Sequence, residues 1–175
     1  LVDLDTTPLH VAFDACDESA RARGIRVTGS ELVGLVPKQS IVDAGRHYLK
    51  RMERSPGVPV SDLVQLAIRT LGLGDVAPFM PDQKIIEDIL APPRPLASLP
   101  VQGFADETSR DSAAPGGGSV AALAGALAAA LAAMVANLAH SKPGFVAVRD
   151  ELETVAVRAQ ELKQRLLDAI DEDTW

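Results

Sequence analysis

Residues 113–140, "AAPGGGSVAALAGALAAALAAMVANLAH", decide the fold of the second half of the chain. Three glycines precede an apolar run in which no side chain up to residue 139 is larger than leucine or methionine. The run predicts a helix over 118–140, because its larger side chains recur every three or four residues and form one stripe. That stripe consists of Leu123, Leu127, Leu131, Met134 and Leu138. The other faces carry small side chains, and we therefore expect a close-packed helix in a bundle.

A membrane-spanning helix is the alternative for this run, since residues 120–139 are long enough to cross a bilayer. Small residues at positions 125, 129 and 133 also fit the contacts that membrane helices make. However, alanine contributes little to insertion, Asn137 interrupts the run, and no cationic residue flanks its start. We favour the bundle helix and expect no membrane partner.

The glycine loop before this helix has two interpretations. Gly116, Gly118 and Ala121 match G-x-G-x-x-A, but the preceding segment is no strand, so a dinucleotide site lacks its context. The lysine of a phosphate-binding P-loop is also absent. Glycines still let a ligand approach the backbone, and the first N–H groups of a helix attract anions. An ordinary helix start, capped by Ser119, fits the spacing equally well.

Charge and cysteine content exclude some partners. The chain has 17 basic and 24 acidic residues, a net charge of −7, and no basic cluster, so we expect no nucleic-acid partner. Cys16, the single cysteine, excludes an internal disulfide and fits a reducing compartment, which predicts a cytoplasmic location. The first residues lack Met and a signal pattern, and we expect a fragment of a longer protein.

The first half, residues 1–90, is predicted to mix strands and helices. "LVDL" at 1–4 and "IRVTGSELVGLVP" at 25–37 have the composition of strands. Helices are predicted from Pro8 to Gly24, over 38–53 and 61–72, and near 82–90. This order predicts an α+β or α/β segment.

The second half is predicted to be entirely helical. The segment "APPRPLASLPVQGF" is rich in proline and predicts a linker over 91–105, followed by a helical domain over 106–175. A second helix is predicted from Val146 to Asp173, with an apolar seam at Leu152, Val155, Ala159, Leu162, Leu166 and Ala169. Two helices cannot bury themselves, so we expect an incomplete two-domain fragment whose bundle is completed by other helices or by other copies in a homo-oligomer.

Two stretches resemble known families. "SAAPGGGSVAALAGALAAALAAMVANL", residues 112–138, resembles the start of the formimidoyltetrahydrofolate cyclodeaminase and methenyltetrahydrofolate cyclohydrolase family, a folate-dependent helical fold. "TPLHVAFDACDESARARGIRVTGSELVGLVP", residues 7–37, resembles the C-terminal subdomain of glutamate formiminotransferase. The two modules occur fused in this order in bifunctional formiminotransferase-cyclodeaminases, and the resemblance covers almost the whole chain.

The resemblance implies an enzyme of histidine and glutamate catabolism that works in one-carbon metabolism. Its transferase moves a formimino group from formiminoglutamate to tetrahydrofolate, and its deaminase cyclises the adduct to 5,10-methenyltetrahydrofolate with release of ammonia. Tetrahydrofolate is then a co-substrate, and no metal is expected. Cyclisation removes a proton from N10 and delivers one to the leaving nitrogen, and a carboxylate can carry out both transfers.

The resemblance also implies site residues in the deaminase segment. Asp173, in the terminal "DAIDEDTW", aligns with an acidic family position and is the predicted acid/base; a solvated helix end is the alternative. The helix start is expected to help form the folate site, through Gly116, Gly117, Gly118 and Ser119. Lys142 matches a basic position suited to the glutamate tail of folate, and an exposed loop lysine is its alternative.

In the transferase segment, His10, Ser30 and Glu31 match family positions and are predicted to line the folate and glutamate site. The alternatives are a helix-start histidine and a strand-edge charge. The subdomain with the transferase's catalytic histidine is expected outside this chain, so we expect the fragment itself to be inactive. A cyclohydrolase-like enzyme and a non-catalytic helical assembly module are the rival interpretations. The fused transferase segment disfavours the cyclohydrolase.

Overall fold

The computed structural model of the chain describes residues 3–172. These residues are mostly helical, and the chain divides into two compact units, Leu1–Ala91 and Pro92–Trp175.

The described part of the first unit contains three helices of ordinary length and two short ones. They are α1 (Leu9–Arg21), α2 (Lys38–Arg51), α3 (Val60–Thr70), α4 (Pro81–Lys84) and α5 (Ile86–Ile89). Pro8, Pro37 and Pro59 each directly precede one of the three longer helices, with the fixed φ of proline and an extended ψ. Gly24, at φ +72°, ends the first helix in the left-handed conformation that favours glycine. These boundaries agree with the predicted helices.

The core of the first unit lies between α2 and α3. Its fully buried side chains are aliphatic or small, apart from Tyr48, and include Ile41, Ala44, Leu63, Ala67 and Ile85. Gly45 lets the two helices approach closely, because a Cβ atom at this position would meet the backbone of Leu63.

The α+β or α/β class predicted for residues 1–90 is not supported, since the described part of this unit contains no sheet. The segment 25–35 is largely extended, but a strand needs a hydrogen-bonded neighbour along its length. Isolated bonds hold this segment instead: Ile25 donates its backbone N–H to Ala20 O (3.1 Å), and Ser30 donates its backbone N–H to Gly72 O (3.2 Å). Val36, directly after the segment, forms one parallel bridge with Ile85.

The predicted strand at 1–4 falls partly outside the described residues. The carboxylate of Asp3 accepts hydrogen bonds from the backbone N–H groups of Asp5 (3.0 Å) and Thr6 (3.2 Å) and from the Thr6 hydroxyl (2.7 Å). Such local bonds form a turn rather than a strand.

Up to residue 172, the second unit contains two long helices and two short ones. They are α6 (Val101–Thr108), α7 (Gly117–His140), a 3-10 helix (Pro143–Val148) and α8 (Arg149–Glu172). Contacts at both ends of the long pair show that α7 and α8 run antiparallel: Ser119 contacts Ile170, and His140 contacts Glu153. The prediction of an all-helical second half is confirmed for the described residues, which contain no strand after residue 110.

Helix α7 packs on α8 through its small residues rather than through its leucines. Ala126, Ala133 and Ala136 are buried, as are Ala156 and Ala159 of α8. The predicted leucine stripe is largely exposed; its exposed members are Leu127, Leu131, Met134 and Leu138. Because α7 packs on α8 through its small side chains, the face that carries the leucine stripe has no neighbour inside the described unit.

Helix α7 is the one helix within residues 3–172 that is long and apolar enough to cross a membrane by length and composition alone. The core helix of a bundle can have the same length and composition, so this property alone does not indicate a membrane span.

The proline-rich segment predicted as a linker over 91–105 is packed within the second unit. Residues 101–105 are helical, and Leu96 and Phe104 are buried against Ile170 of α8. The boundary between the two units lies at 91/92.

Candidate functional site

The glycine-led start of α7 is an exposed helix N-terminus. Gly116 precedes the helix with φ −87° and ψ −176°, and Gly117 and Gly118 are exposed. The first bond of the helix runs from Val120 N to Gly116 O (3.2 Å), so the N–H groups before Val120 have no acceptor within the helix. No side chain among the described residues caps them. These N–H groups and the positive end of the helix dipole are suited to binding an anion.

The conformation of these glycines does not itself require glycine. None of the three has a positive φ, so their backbone is open to other residues. A Cβ atom built at Gly117 meets nothing within 4 Å. A side-chain Cβ at Gly117 would therefore meet no atom of the described chain.

Ser119 ties the helix start to α8 and does not cap it. Its hydroxyl donates a 2.8 Å hydrogen bond to Ile170 O, and its side chain is 0% exposed. The capping alternative for Ser119 is therefore wrong, and its buried hydroxyl is not open to a ligand.

Asp171 closes the same end of the helix pair. Its side chain is buried, and its two carboxylate oxygens accept hydrogen bonds from the backbone N–H groups of Leu96 (2.8 Å) and Ala97 (3.2 Å). One turn earlier, Asp168 forms a 2.6 Å ion pair with Arg94. The sequence pattern singled out Asp173 and not Asp171; the i, i+3 spacing of Asp168 and Asp171 on one helix face was the available signal.

Asp173, the predicted acid/base, lies outside the described residues. The last described residue of α8 is Glu172, two residues after the Ile170 carbonyl that Ser119 contacts. The role of Asp173 stays a prediction.

Lys142 lies at the opposite end of α7 from the glycines and is exposed. A helix rises about 1.5 Å per residue, so the 24 residues of α7 separate Lys142 from Gly117 by about 36 Å. Within one chain, the structure does not bring Lys142 to the glycine-led start. Its neighbour His140 is 5% exposed and contacts Glu153 Oε1 at 3.0 Å, which holds α7 to α8 at this end.

In the first unit, His10 belongs to a polar cluster between α1 and α2. Its ring stacks on the ring of His47 with centroids 4.2 Å apart. The carboxylate of Asp14 accepts hydrogen bonds from Arg51 Nη1 (2.8 Å) and from the Tyr48 hydroxyl (3.2 Å), and lies 3.0 Å from His47 Nε2. His47 thus contacts both His10 and Asp14, and the sequence pattern did not single it out.

The environment of the cluster shifts two of its pKa values. Burial, and then the neighbouring His47, lower the pKa of His10. Burial, and then the carboxylate of Asp14, raise the pKa of Tyr48. Both groups are therefore held in their neutral forms near pH 7.

Ser30 and Glu31 lie elsewhere in this unit. The Ser30 hydroxyl donates to Leu71 O (2.6 Å), directly after α3, and the Glu31 side chain is exposed. The contacts of Ser30 are thus with the end of α3, whereas those of His10 are with α2. No group of three or more His, Cys, Asp or Glu side chains within the described residues is arranged to hold a metal ion.

Comparison with known proteins gives two matches along the chain. The family model described as "Formiminotransferase domain" matches residues 1–91, and the model "Formiminotransferase-cyclodeaminase" matches residues 100–175. The Formimidoyltransferase-cyclodeaminase of Gallus gallus is 34% identical over 177 residues, covering 99% of this chain and 32% of the relative. The proteins of that name from Mus musculus and Dictyostelium discoideum are 34% and 35% identical over 83% and 81% of this chain, which covers 27% of each.

These two units define a class of chain in which a transferase module is followed by a cyclodeaminase module. The chain belongs to the formiminotransferase-cyclodeaminase family. It spans 27–32% of the length of the curated relatives described above. The family resemblance stated from the two sequence stretches is confirmed.

Proposed function

We propose that this chain is part of a bifunctional folate enzyme that transfers a formimino group from formiminoglutamate to tetrahydrofolate and cyclises the adduct with release of ammonia. One observation carries the proposal: two family models match in the fused order, and each falls within one compact unit. The first unit supplies part of the transferase, and the second supplies the start of the cyclodeaminase. The free thiol of Cys16 fits a reducing compartment, and we include a cytoplasmic location in the proposal.

The folate site of the cyclodeaminase lies, in this proposal, at the glycine-led start of α7. Gly117 and Gly118 are exposed, and their N–H groups have no acceptor within the helix, so they suit the anionic parts of folate. Ser119 itself is held by Ile170, so the positions of these donors are fixed before the ligand arrives.

Asp173 is the proposed acid/base. Its carboxylate takes the proton that N10 loses on ring closure and returns a proton to the departing nitrogen, which leaves as ammonia. The same group thus serves both proton transfers, and no net proton is taken up from the enzyme.

The proposal is tested in the full-length parent by following both half-reactions separately. Asp173→Asn keeps the size of the side chain and removes its proton transfer. We expect folate still to bind while cyclisation slows by roughly 10²–10⁴. Glu172→Gln, the same change at an exposed neighbouring residue, is the control and should cyclise at the parental rate.

Three outcomes would contradict parts of the proposal. Parental cyclisation by Asp173→Asn would identify the carboxylate as a solvated helix end. Hydrolysis of 5,10-methenyltetrahydrofolate without any formimino transfer would favour the cyclohydrolase. Absence of both half-reactions would favour a non-catalytic assembly module.

A further inference from the structure

We infer that Asp171 is a positioning residue for the cyclodeaminase centre. It acts by binding the proline-rich segment 92–104, called the strap below, to the helix ends beside the glycine-led start of α7. This inference rests on the proposed function. Asp171 is assigned no contact with the folate; it acts through the strap and through the helix end.

The attachment consists of two hydrogen bonds between one carboxylate and two successive backbone N–H groups. Asp171 Oδ1 accepts from Leu96 N at 2.8 Å, and Oδ2 accepts from Ala97 N at 3.2 Å. The carboxylate is buried, and bonds from N–H groups to an ionised acceptor are about twice as strong as neutral ones. These contacts join residues that lie 75 and 74 positions apart, so they fix the strap to α8 at one defined point.

Apolar packing continues the attachment along the strap. Leu96 and Phe104 are 9% and 7% exposed, and they form one buried cluster with Ile170, which is 1% exposed. Ala114, two residues before Gly116, packs against the same cluster. One apolar cluster therefore joins the strap, the end of α8 and the chain segment that leads into the glycines.

A continuous series of contacts links the strap to the helix start. Leu96 and Ala97 bind Asp171, the adjacent Ile170 accepts a hydrogen bond from Ser119, and Ser119 directly follows Gly118. The first turn of α7 has no side-chain cap among the described residues to hold it independently. Ser119 and the strap therefore attach this turn to α8, in addition to the packing of the small residues farther along α7. Misplacement of a site by about 1 Å can cost about 10²-fold in rate.

The test is Asp171→Asn in the full-length parent, with Glu161→Gln as the matched control. An asparagine has one acceptor oxygen, so it leaves one buried backbone N–H without a partner. Glu161 lies on the same helix in an exposed ion pair with Arg158 (3.1 Å). We expect Asp171→Asn to lower kcat for cyclisation by about tenfold or more and to leave formimino transfer at the parental rate. The control should change neither.

The readout must separate positioning from simple loss of stability. Both rates are measured well below the melting midpoint of each variant, where a purely structural defect would leave kcat per folded molecule unchanged. Asp171→Glu keeps both acceptor oxygens and should recover part of the lost kcat. Limited proteolysis within 92–104 should be faster in Asp171→Asn than in the parent.

If Asp171→Asn prevents the second unit from folding, Leu96→Pro decides the question, because proline has no N–H to donate to Asp171 and no residue of α8 is changed. Slower cyclisation with normal transfer in Leu96→Pro supports the inference, and parental cyclisation overturns it. Gly117→Val distinguishes failure of the positioning role of Asp171 from failure of the proposed folate site. If Gly117→Val impairs cyclisation but Asp171→Asn does not, the site stands and the positioning role is wrong. If neither variant has an effect, the site itself is wrong.

Discussion

The hydroxyl of Ser119 donates a 2.8 Å hydrogen bond to the carbonyl oxygen of Ile170, 51 residues later in the chain. This bond joins the start of α7 to the last turns of α8, and the Ser119 side chain that makes it is fully buried. It explains why a polar residue directly follows three glycines at an otherwise uncapped helix start. The donor groups of the proposed folate site are therefore attached to a fixed framework.

Removing this hydroxyl should destabilise the second unit. Ser119→Ala leaves the carbonyl of Ile170 buried without its donor, which costs about 1–3 kcal/mol. Denaturant unfolding measures this change in the free energy of unfolding. Ser141→Ala is the control, because the exposed Ser141 hydroxyl bonds Asn137 O within its own helix (3.3 Å). Equal stability of the two variants would contradict the structural role of Ser119.

The contact between α2 and α3 should not tolerate a side chain at Gly45. A Cβ atom there would meet the backbone of Leu63, which cannot rotate away as a flexible side chain can. We expect Gly45→Ala to destabilise the first unit by about 1–3 kcal/mol. Thermal unfolding checks this expectation, with Gly74→Ala as the control because nothing lies within 4 Å of its Cβ position. An unchanged melting midpoint for Gly45→Ala would show that the helices are farther apart.

The cluster around His10 should make the first unit less stable at weakly acid pH. Burial, and then His47, lower the pKa of His10, and so the unfolded chain binds more protons than the folded chain there. Stability should therefore begin to fall as the pH drops through about 6.5, the ordinary histidine pKa, and the loss should be complete below the lowered pKa of His10.

An NMR titration of the His10 imidazole checks the direction of this shift. The midpoint should lie below the ordinary histidine value, although Asp14 and Asp43 act in the opposite direction. His10→Gln should flatten the pH dependence of unfolding in this range. A midpoint at or above the ordinary value would contradict the arrangement of the two rings.

The exposed stripe of α7 should make the isolated 175-residue chain associate or bind a hydrophobic dye. Leu127, Leu131 and Leu138 are each 58–59% exposed on one helix, which is a large apolar face for a surface. Leu131→Glu combined with Leu138→Glu should reduce both association and dye binding. Sedimentation measures the association. A monodisperse parental monomer that binds no dye would show that this face is covered within the chain.

The helix boundaries of this chain could be predicted from local chemistry, whereas its tertiary contacts could not. Pro8, Pro37 and Pro59 mark helix starts, and Gly24 marks a helix end, because each restricts or frees the backbone locally. The stretch 25–37 has strand composition, but a strand also needs a partner backbone, which composition does not reveal.

In the candidate site, too, local features could be predicted and tertiary contacts could not. The exposed, glycine-led start of α7 follows from the glycines and the apolar run after them. The assignment of 91–105 to a linker rested on its prolines, yet Leu96 and Ala97 lie among them and supply the N–H groups that bind Asp171. The partners of Ser119 and Asp171 are 51 and 75 residues away, beyond the reach of any periodicity.

The most direct test of the account is the Michaelis constant for cyclisation in the full-length parent carrying Gly117→Val. The valine fits the protein, because Gly117 has no positive φ and its Cβ position is open, so its side chain fills only the space proposed for folate. Gly144→Val is the control, since its Cβ position is equally open at the other end of α7. We expect Gly117→Val to raise this constant about tenfold or more, equivalent to about 1.4 kcal/mol of binding free energy, while formimino transfer and the control stay parental. A parental Michaelis constant for Gly117→Val would contradict the account.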